Sequence, residues 1–180
     1  RLIRLDAAKV KDMPDNSHYT LRVRVVEQEI QVADRSFDTR DQRNLRPLDS
    51  VYNPTSPAGP ALVESYHTKL VRLDIGNAVD GKGTSGRTDI PLRDEVKIRL
   101  PDILDKRHFL QFTLLLVKSE AEVVAETEIP FIISSKESSS GGRVTTIIPN
   151  GLHRILMNEG VQVHIETRKV SSLHVSDSSV

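Results

Sequence analysis

The sequence predicts an all-β fold, an eight-stranded antiparallel Greek-key β-sandwich, on three observations. Apolar and polar residues alternate with period two in several separate stretches. Spacings of three and four, which mark a helical face, are almost absent. Turn-forming residues cluster between the alternating stretches, and no internal repeat links them. At 180 residues and 37% hydrophobic content the chain can bury one core, so residues 1–180 are expected to form a single domain. That domain is expected to be cut from a much larger multidomain protein.

The elements follow in order. Leu2–Leu5 is a short strand candidate. Leu21, Val23 and Val25 alternate with Thr20, Arg22 and Arg24, which gives a strand with one wet face. Leu62–Arg72 is a further candidate. Val96, Ile98 and Leu100 alternate with Lys97 and Arg99 and read as another strand. Phe109 to Val117 is apolar on both faces, as a central strand requires. Val123–Ile133 and Leu152–Met157 are shorter candidates. Val161, Val163 and Ile165 alternate with Gln162, His164 and Glu166. The one helical expectation is a single turn over Pro101–Lys106, where proline suits a first helical position. Met13-Pro14-Asp15-Asn16 is a turn. The proline-rich run Asn53–Pro60 cannot join a ladder. Ser134 to Gly142 reads as a loop, and Asn158-Glu159-Gly160 as a tight hairpin turn.

Composition excludes several function classes. Formal net charge is zero, so no global field draws the chain to nucleic acid, and no nucleic-acid partner is expected. With no cysteine there are no disulfides, thiolate nucleophiles or thiolate metal ligands, which fits a reducing, cytoplasmic setting. His18, His67, His108, His153, His164 and His174 form no pair at metal-ligand spacing, so no metal site is expected. Gly81-Lys82-Gly83-Thr84-Ser85-Gly86 matches G-x-G-x-x-G in letters only. Asp89-Ile90-Pro91 follows it and leads into a strand, where a dinucleotide site needs a helix N-terminus. No G-x-S-x-G elbow is present. The sequence therefore predicts no catalytic residue, no cofactor and no enzyme.

Four segments carry a family resemblance. Asp94-Glu95-Val96-Lys97-Ile98-Arg99-Leu100-Pro101 is like D-E-I-K-I-x-L-P, and His108-Phe109-Leu110-Gln111-Phe112-Thr113 is like H-H-L-L-F-T-F. Ile129-Pro130-Phe131-Ile132, with Gly142-Arg143, is like L-P-L-L-x-D-G-R. Gly151-Leu152-His153, running on to Thr167-Arg168-Lys169-Val170-Ser171-Ser172, is like a G-x-H strand and a closing T-K-L-V-S-T. In order and spacing these resemble the C2-type lipid-binding domain of the DOCK (dedicator of cytokinesis) family, DOCK homology region one. The likeness covers about residues 90 to 175. It departs at Leu92, where the family usually has an aromatic residue, and in the serines that replace the aspartate of D-G-R. The resemblance implies a C2-like sandwich from a Rho-family exchange factor whose exchange activity lies in another region, so any Rho GTPase would be met only through the parent protein. It also implies calcium-independent binding of a phosphoinositide membrane, with phosphatidylinositol 3,4,5-trisphosphate favoured, and peripheral recruitment of a cytoplasmic protein.

Strand alternation suggests where a lipid would sit. If successive strands are antiparallel, the connections 6–18, 73–94, 118–122 and 158–160 share one end. Phosphoinositide headgroups need converging cations. The candidates there are Lys9, Lys11, Lys82, Arg87, Arg93 and Lys118, with Val10 and Met13 as membrane-inserting apolar tips. Acidic neighbours nearly offset them: Asp6, Asp12 and Asp15 in the first connection, and Asp74, Asp80, Asp89 and Asp94 in the second. Asp12, Asp15, Asp80 and Asp89 lack a recognisable calcium pattern. The alternative is a scaffolding domain that contacts other parts of the same exchange factor. It would use the arginine-rich loop Arg35, Arg40, Arg43 and Arg46 at the opposite end.

Overall fold

The computed structural model describes residues 1–7, 17–29, 44–55, 59–73, 89–136 and 143–170. The strands in chain order are β1 (Leu2–Asp6), β2 (Ser17–Gln28), β3 (Leu45–Leu48), β4 (Val51–Asn53), β5 (Ala61–Val63), β6 (Ser65–His67) and β7 (Val71–Leu73). They continue as β8 (Asp89–Asp94), β9 (His108–Val117), β10 (Ala121–Pro130), β11 (Ile132–Lys136), β12 (Arg143–Ile147), β13 (Gly151–Leu156) and β14 (Gln162–Thr167). Among the described residues the only helical element is a three-residue 3-10 turn, Asn158–Gly160.

The strands build two antiparallel sheets. One has the order β13-β14-β1-β8; the other runs β10-β9-β2-β3, with β6 and β7 also paired to β2. β3, β6 and β7 lie end to end along one edge of β2, opposite Val25–Gln28, Arg22–Arg24 and Ser17–Tyr19 respectively. Ten strands thus fill eight strand positions. β11 with β12, and β4 with β5, form separate hairpins. One buried cluster joins the sheets: Leu5, Val163 and Ile165 from the first meet Tyr19, Leu21, Val23, Phe112 and Leu114 from the second. The chain is an all-β sandwich, as its alternation predicts.

Local chemistry explains the elements. On β2, Tyr19, Leu21, Val23 and Val25 turn inward while Arg22 and Arg24 turn out. β9 lies between β10 and β2, and every residue but Val117 is buried, which makes it the central strand the sequence predicts. β2 and β9 keep register over ten paired residues, from His18 opposite Val117 to Glu27 opposite His108. Pro47 and Pro91 sit on edge strands, where a missing N–H costs no ladder bond.

Several expectations need correction: the candidate Leu62–Arg72 is divided among β5, β6 and β7, and β11 runs to Lys136, into the loop expected from Ser134. Residues 96–100 do alternate between half-buried and exposed, yet only Ile98 forms a bridge, to Val51. Their backbone is bonded at two points, Lys97 O to Tyr52 N–H at 2.9 Å and Arg99 N–H to Ser50 O at 2.8 Å. The three-residue β4 is too short to template a longer ladder. The expected helical turn at Pro101–Lys106 is absent because side chains capture its backbone. Asp105 Oδ1 accepts Arg107 N–H at 2.8 Å, and Asp105 N–H donates to His108 Nδ1 at 3.2 Å. The candidate Val123–Ile133 is two strands, because Phe131 changes partners: its N–H still bonds His108 O at 3.2 Å in register with β9, while its carbonyl accepts Ile148 N–H at 2.9 Å in register with the β11–β12 hairpin.

Asp105 also gives a pH prediction. Its hydrogen bonds to Arg107 hold the carboxyl below the usual carboxylate range, with the Arg107 and His108 charges assisting. A depressed folded-state value means the contribution is present above the unfolded value, about pH 3.9, and is lost as pH falls through the folded one. Thermal midpoints measured across pH 2–5 should fall more steeply for the natural chain than for Asp105→Asn. Parallel curves would rule out this contribution.

Candidate functional site

The register fixes the two ends of the sandwich. Asp6 lies opposite Gln162 and Asp89, Ser17 opposite Leu73, and His18 opposite Val117. At the other end, Ile148 N–H bonds Phe131 O at 2.9 Å beside the β11–β12 hairpin, and Tyr52 N–H of β4 bonds Lys97 O just after β8. The connections between Asp6 and Ser17, Leu73 and Asp89, and Val117 and Ala121 therefore leave from one end. Lys9, Val10, Lys11, Met13, Lys82 and Arg87 fall within them and lie outside the described residues, as do Arg35, Arg40 and Arg43.

Lys118 is at that shared end, in the β9–β10 turn, where its ammonium bonds Glu122 at 2.8 Å. The 158–160 turn starts from the same end of its sheet but packs on the flank of β10. Asn158 Oδ1 accepts Glu126 N–H there at 2.7 Å, which caps part of an open sheet edge. Arg46 is near the opposite end, where Gln28 pairs with Leu45, and it bonds Glu27 at 2.8 Å. Arg107 bonds the same carboxylate at 3.2 Å.

Arg93 corrects the expected map. It belongs to β8, not to a connection, and the neighbouring Asp94 pairs with Leu2, at the end away from Asp6. Three steps along β8, from Asp94 to Pro91, face two along β1, from Leu2 to Arg4. Arg93 absorbs the mismatch with a left-handed backbone, φ +55°. Leu92 thereby stays in the core, 8% exposed, while Arg93 is exposed.

A cleft of about 530 Å³ lies beside this irregularity. Arg1, Arg4, Arg93 and Glu166 line it together with Leu2, Ile3 and Pro91. Arg1 is fixed by backbone bonds in both directions with Glu166, at 2.8 and 2.9 Å. Asp94 is engaged elsewhere: it hydrogen-bonds the Tyr66 hydroxyl, whose pKa burial raises, with the Asp94 charge adding to the shift. Three arginines and one glutamate are among the residues that line the cleft. Arg1 and Arg4 were not among the residues the sequence pointed to. Their visible signal is placement at either end of the short apolar stretch Leu2–Leu5.

A second polar surface lies on the outer face of the six-stranded sheet. Arg24 Nε donates to Gln111 Oε1 at 2.5 Å, and Gln111 Nε2 donates to Glu128 at 3.2 Å. Arg22 reaches Thr113 Oγ1 at 3.4 Å and sits opposite His67. Burial, then the Arg22 charge, pushes the His67 imidazole below its ordinary range. Acidic Glu126 and Glu128 share this face, so it is close to neutral. Among the described residues no three His, Asp or Glu side chains gather to hold a metal ion, and no helix is long and apolar enough to cross a membrane. Compared with known proteins, the chain matches no family model and no curated protein.

Proposed function

We propose that this chain is a non-catalytic C2-type domain with Greek-key connectivity that binds phosphoinositide membranes without calcium. In this reading it belongs to a cytoplasmic DOCK-type exchange factor and recruits it peripherally to membrane; a Rho-family GTPase is met only through the parent. The four-segment resemblance motivates the reading. The observation that carries it is strand polarity: the connections holding Lys9, Lys11, Lys82, Arg87 and Lys118 all depart from one end of the sandwich. Cations gathered at one end can engage a single headgroup, with Val10 and Met13 entering the acyl boundary. No lining residue is assigned a catalytic role.

The test is co-sedimentation with phosphatidylcholine vesicles containing phosphatidylinositol 3,4,5-trisphosphate. Neutralising two basic residues near a membrane removes about 2 kcal/mol, which is roughly thirtyfold in affinity. Lys9→Gln with Lys11→Gln should therefore weaken pelleting by about that factor. If the natural chain fails to pellet with any phosphoinositide at low salt, the reading is wrong.

A second reading is favoured by Arg46, whose side chain is 60% exposed and braced by Glu27 at the opposite end. There the domain is a scaffold that docks other parts of the exchange factor through Arg35, Arg40, Arg43 and Arg46. Reversing Arg43 and Arg46 to glutamate should then reduce association with the rest of the parent; undiminished association would exclude it.

A further inference from the structure

We infer that the free edge of β13 is a docking site for an extended segment of a partner protein, one that carries an acidic side chain between two apolar ones. The site belongs to the four-stranded sheet and does not rest on the membrane reading.

Pairing with β14 shows which groups β13 offers. Met157 N–H donates to Val161 O at 2.8 Å, and the register continues without a shift through Ile155 opposite Val163, His153 opposite Ile165 and Gly151 opposite Thr167. Antiparallel pairs alternate between bonded and non-bonded, so these residues direct their N–H and C=O groups to β14. Leu152, Arg154 and Leu156 turn theirs outward, and among the described residues β13 has no second neighbour. The same three side chains are exposed, Leu152 at 76% and Leu156 at 64%, while Ile155 is buried.

The other edges of the two sheets are blunted. Pro91 and the irregularity at Arg93 interrupt β8, Pro47 lies in β3, and β6 and β7 have three residues each. β10 carries Glu126 and Glu128, ends in Pro130, and has its Glu126 N–H taken by Asn158. β13 has no proline, no bulge and no acidic residue, and it presents two leucines. A strand added there gains main-chain bonds along its length, with alternate side chains giving selectivity.

Charge selects the occupant. Arg154 stands between the leucines. Its Nε donates to Gln162 Oε1 at 2.6 Å, which braces the guanidinium, and among the described residues no carboxylate pairs with it. A glutamate directly opposite supplies that carboxylate, and apolar side chains on either side of it meet Leu152 and Leu156. A second copy of the chain fits less well. The antiparallel register that matches Leu152 with Leu156 sets Arg154 against its own counterpart, and like charges directly opposite are destabilising.

The probe is the acetylated and amidated peptide Ser-Thr-Val-Glu-Val-Thr-Ser, titrated into the whole chain and followed by backbone amide NMR. In the free chain the Leu152, Arg154 and Leu156 amides should exchange fast, and peptide at about ten times its Kd should slow them about tenfold. Exchanging the peptide's glutamate for lysine turns an attractive pair into a repulsive one and should weaken binding roughly five- to tenfold. Arg154→Glu should then favour the lysine peptide. N-methylation of the glutamate removes the N–H that meets Arg154 O and should weaken binding at least about tenfold, which adhesion through side chains alone does not predict. Leu152→Lys combined with Leu156→Lys should lose binding with an unchanged thermal midpoint, since both side chains are exposed. The absence of saturable binding, or binding that ignores N-methylation or the lysine exchange, would overturn the proposal. So would amides already protected in the free chain: at every concentration this means that the chain covers its own edge, and in step with protein concentration it gives the edge to a second copy.

Discussion

Replacing Phe112 with alanine should destabilise the domain by about 3–5 kcal/mol. Phe112 is 1% exposed at the middle of β9, opposite Val23 on β2 and Thr127 on β10. Its ring joins the cluster that holds both sheets, so truncation removes apolar burial and leaves a cavity that two fully laddered neighbours cannot collapse to fill. Against a typical total of 5–15 kcal/mol, that is a large fraction. Urea unfolding should show a lower midpoint with an unchanged slope. Ile103→Ala serves as the contrast. Ile103 is 81% exposed, so the loss should stay within about 0.5 kcal/mol. Equal losses at the two positions would mean that β9 is not the centre of the core.

Replacing Thr68 with valine should cost about 1–3 kcal/mol, although the two side chains have nearly the same shape. β6 ends at His67 opposite Arg22, and β7 resumes at Val71 opposite Tyr19, so Leu21 would lose its edge partner in the gap. Thr68 fills it. Its hydroxyl accepts Leu21 N–H at 3.0 Å, its own N–H donates to Leu21 O at 3.0 Å, and its carbonyl accepts Thr20 Oγ1 at 2.9 Å. Valine keeps the backbone bond and removes the hydroxyl, leaving the N–H of fully buried Leu21 without an acceptor. Thr68→Ser should restore most of the loss. Amide exchange at Leu21 reads the bond directly, and unchanged protection in the valine variant would show that the hydroxyl is dispensable.

These two sites differ in how plainly the sequence announces them. Phe112 lies in the nine-residue run Phe109 to Val117, read as apolar on both faces, as a central strand requires. Thr68 is a polar β-former like many others in the chain, and its task arises only when β2 passes beside it. Residues 96–100 show the converse. Their alternation is genuine, because Val96, Ile98 and Leu100 do pack against the core, yet no partner of sufficient length lies alongside. Period two reports which side is buried; hydrogen-bond partners come from elsewhere in the chain.

The same division governs the candidate sites. Alternation of strand direction places the connections with Lys9, Lys11, Lys82 and Arg87 at one end, although β7 continues the direction of β6 along β2 instead of reversing it. Arg93 was assigned to that end as a connection residue. Its true place follows from the pairing of Asp94 with Leu2 and from a bulge at a residue other than glycine, which gives no turn signal in the sequence. Arg1 and Arg4 share its cleft although they are about 90 positions away in the chain.

The sequence by itself determined the two-sheet architecture, the central strand and the inward face of each long strand. Those properties are local: one side of a pleated strand must be apolar for burial to offset the entropy of ordering it. The tertiary structure alone decided the divided edge along β2, the extended crossing at 96–100 and the cleft of Arg1, Arg4 and Arg93. Each depends on register between strands distant in the chain, and register follows from the fit of whole sheets against one another, which no single segment encodes.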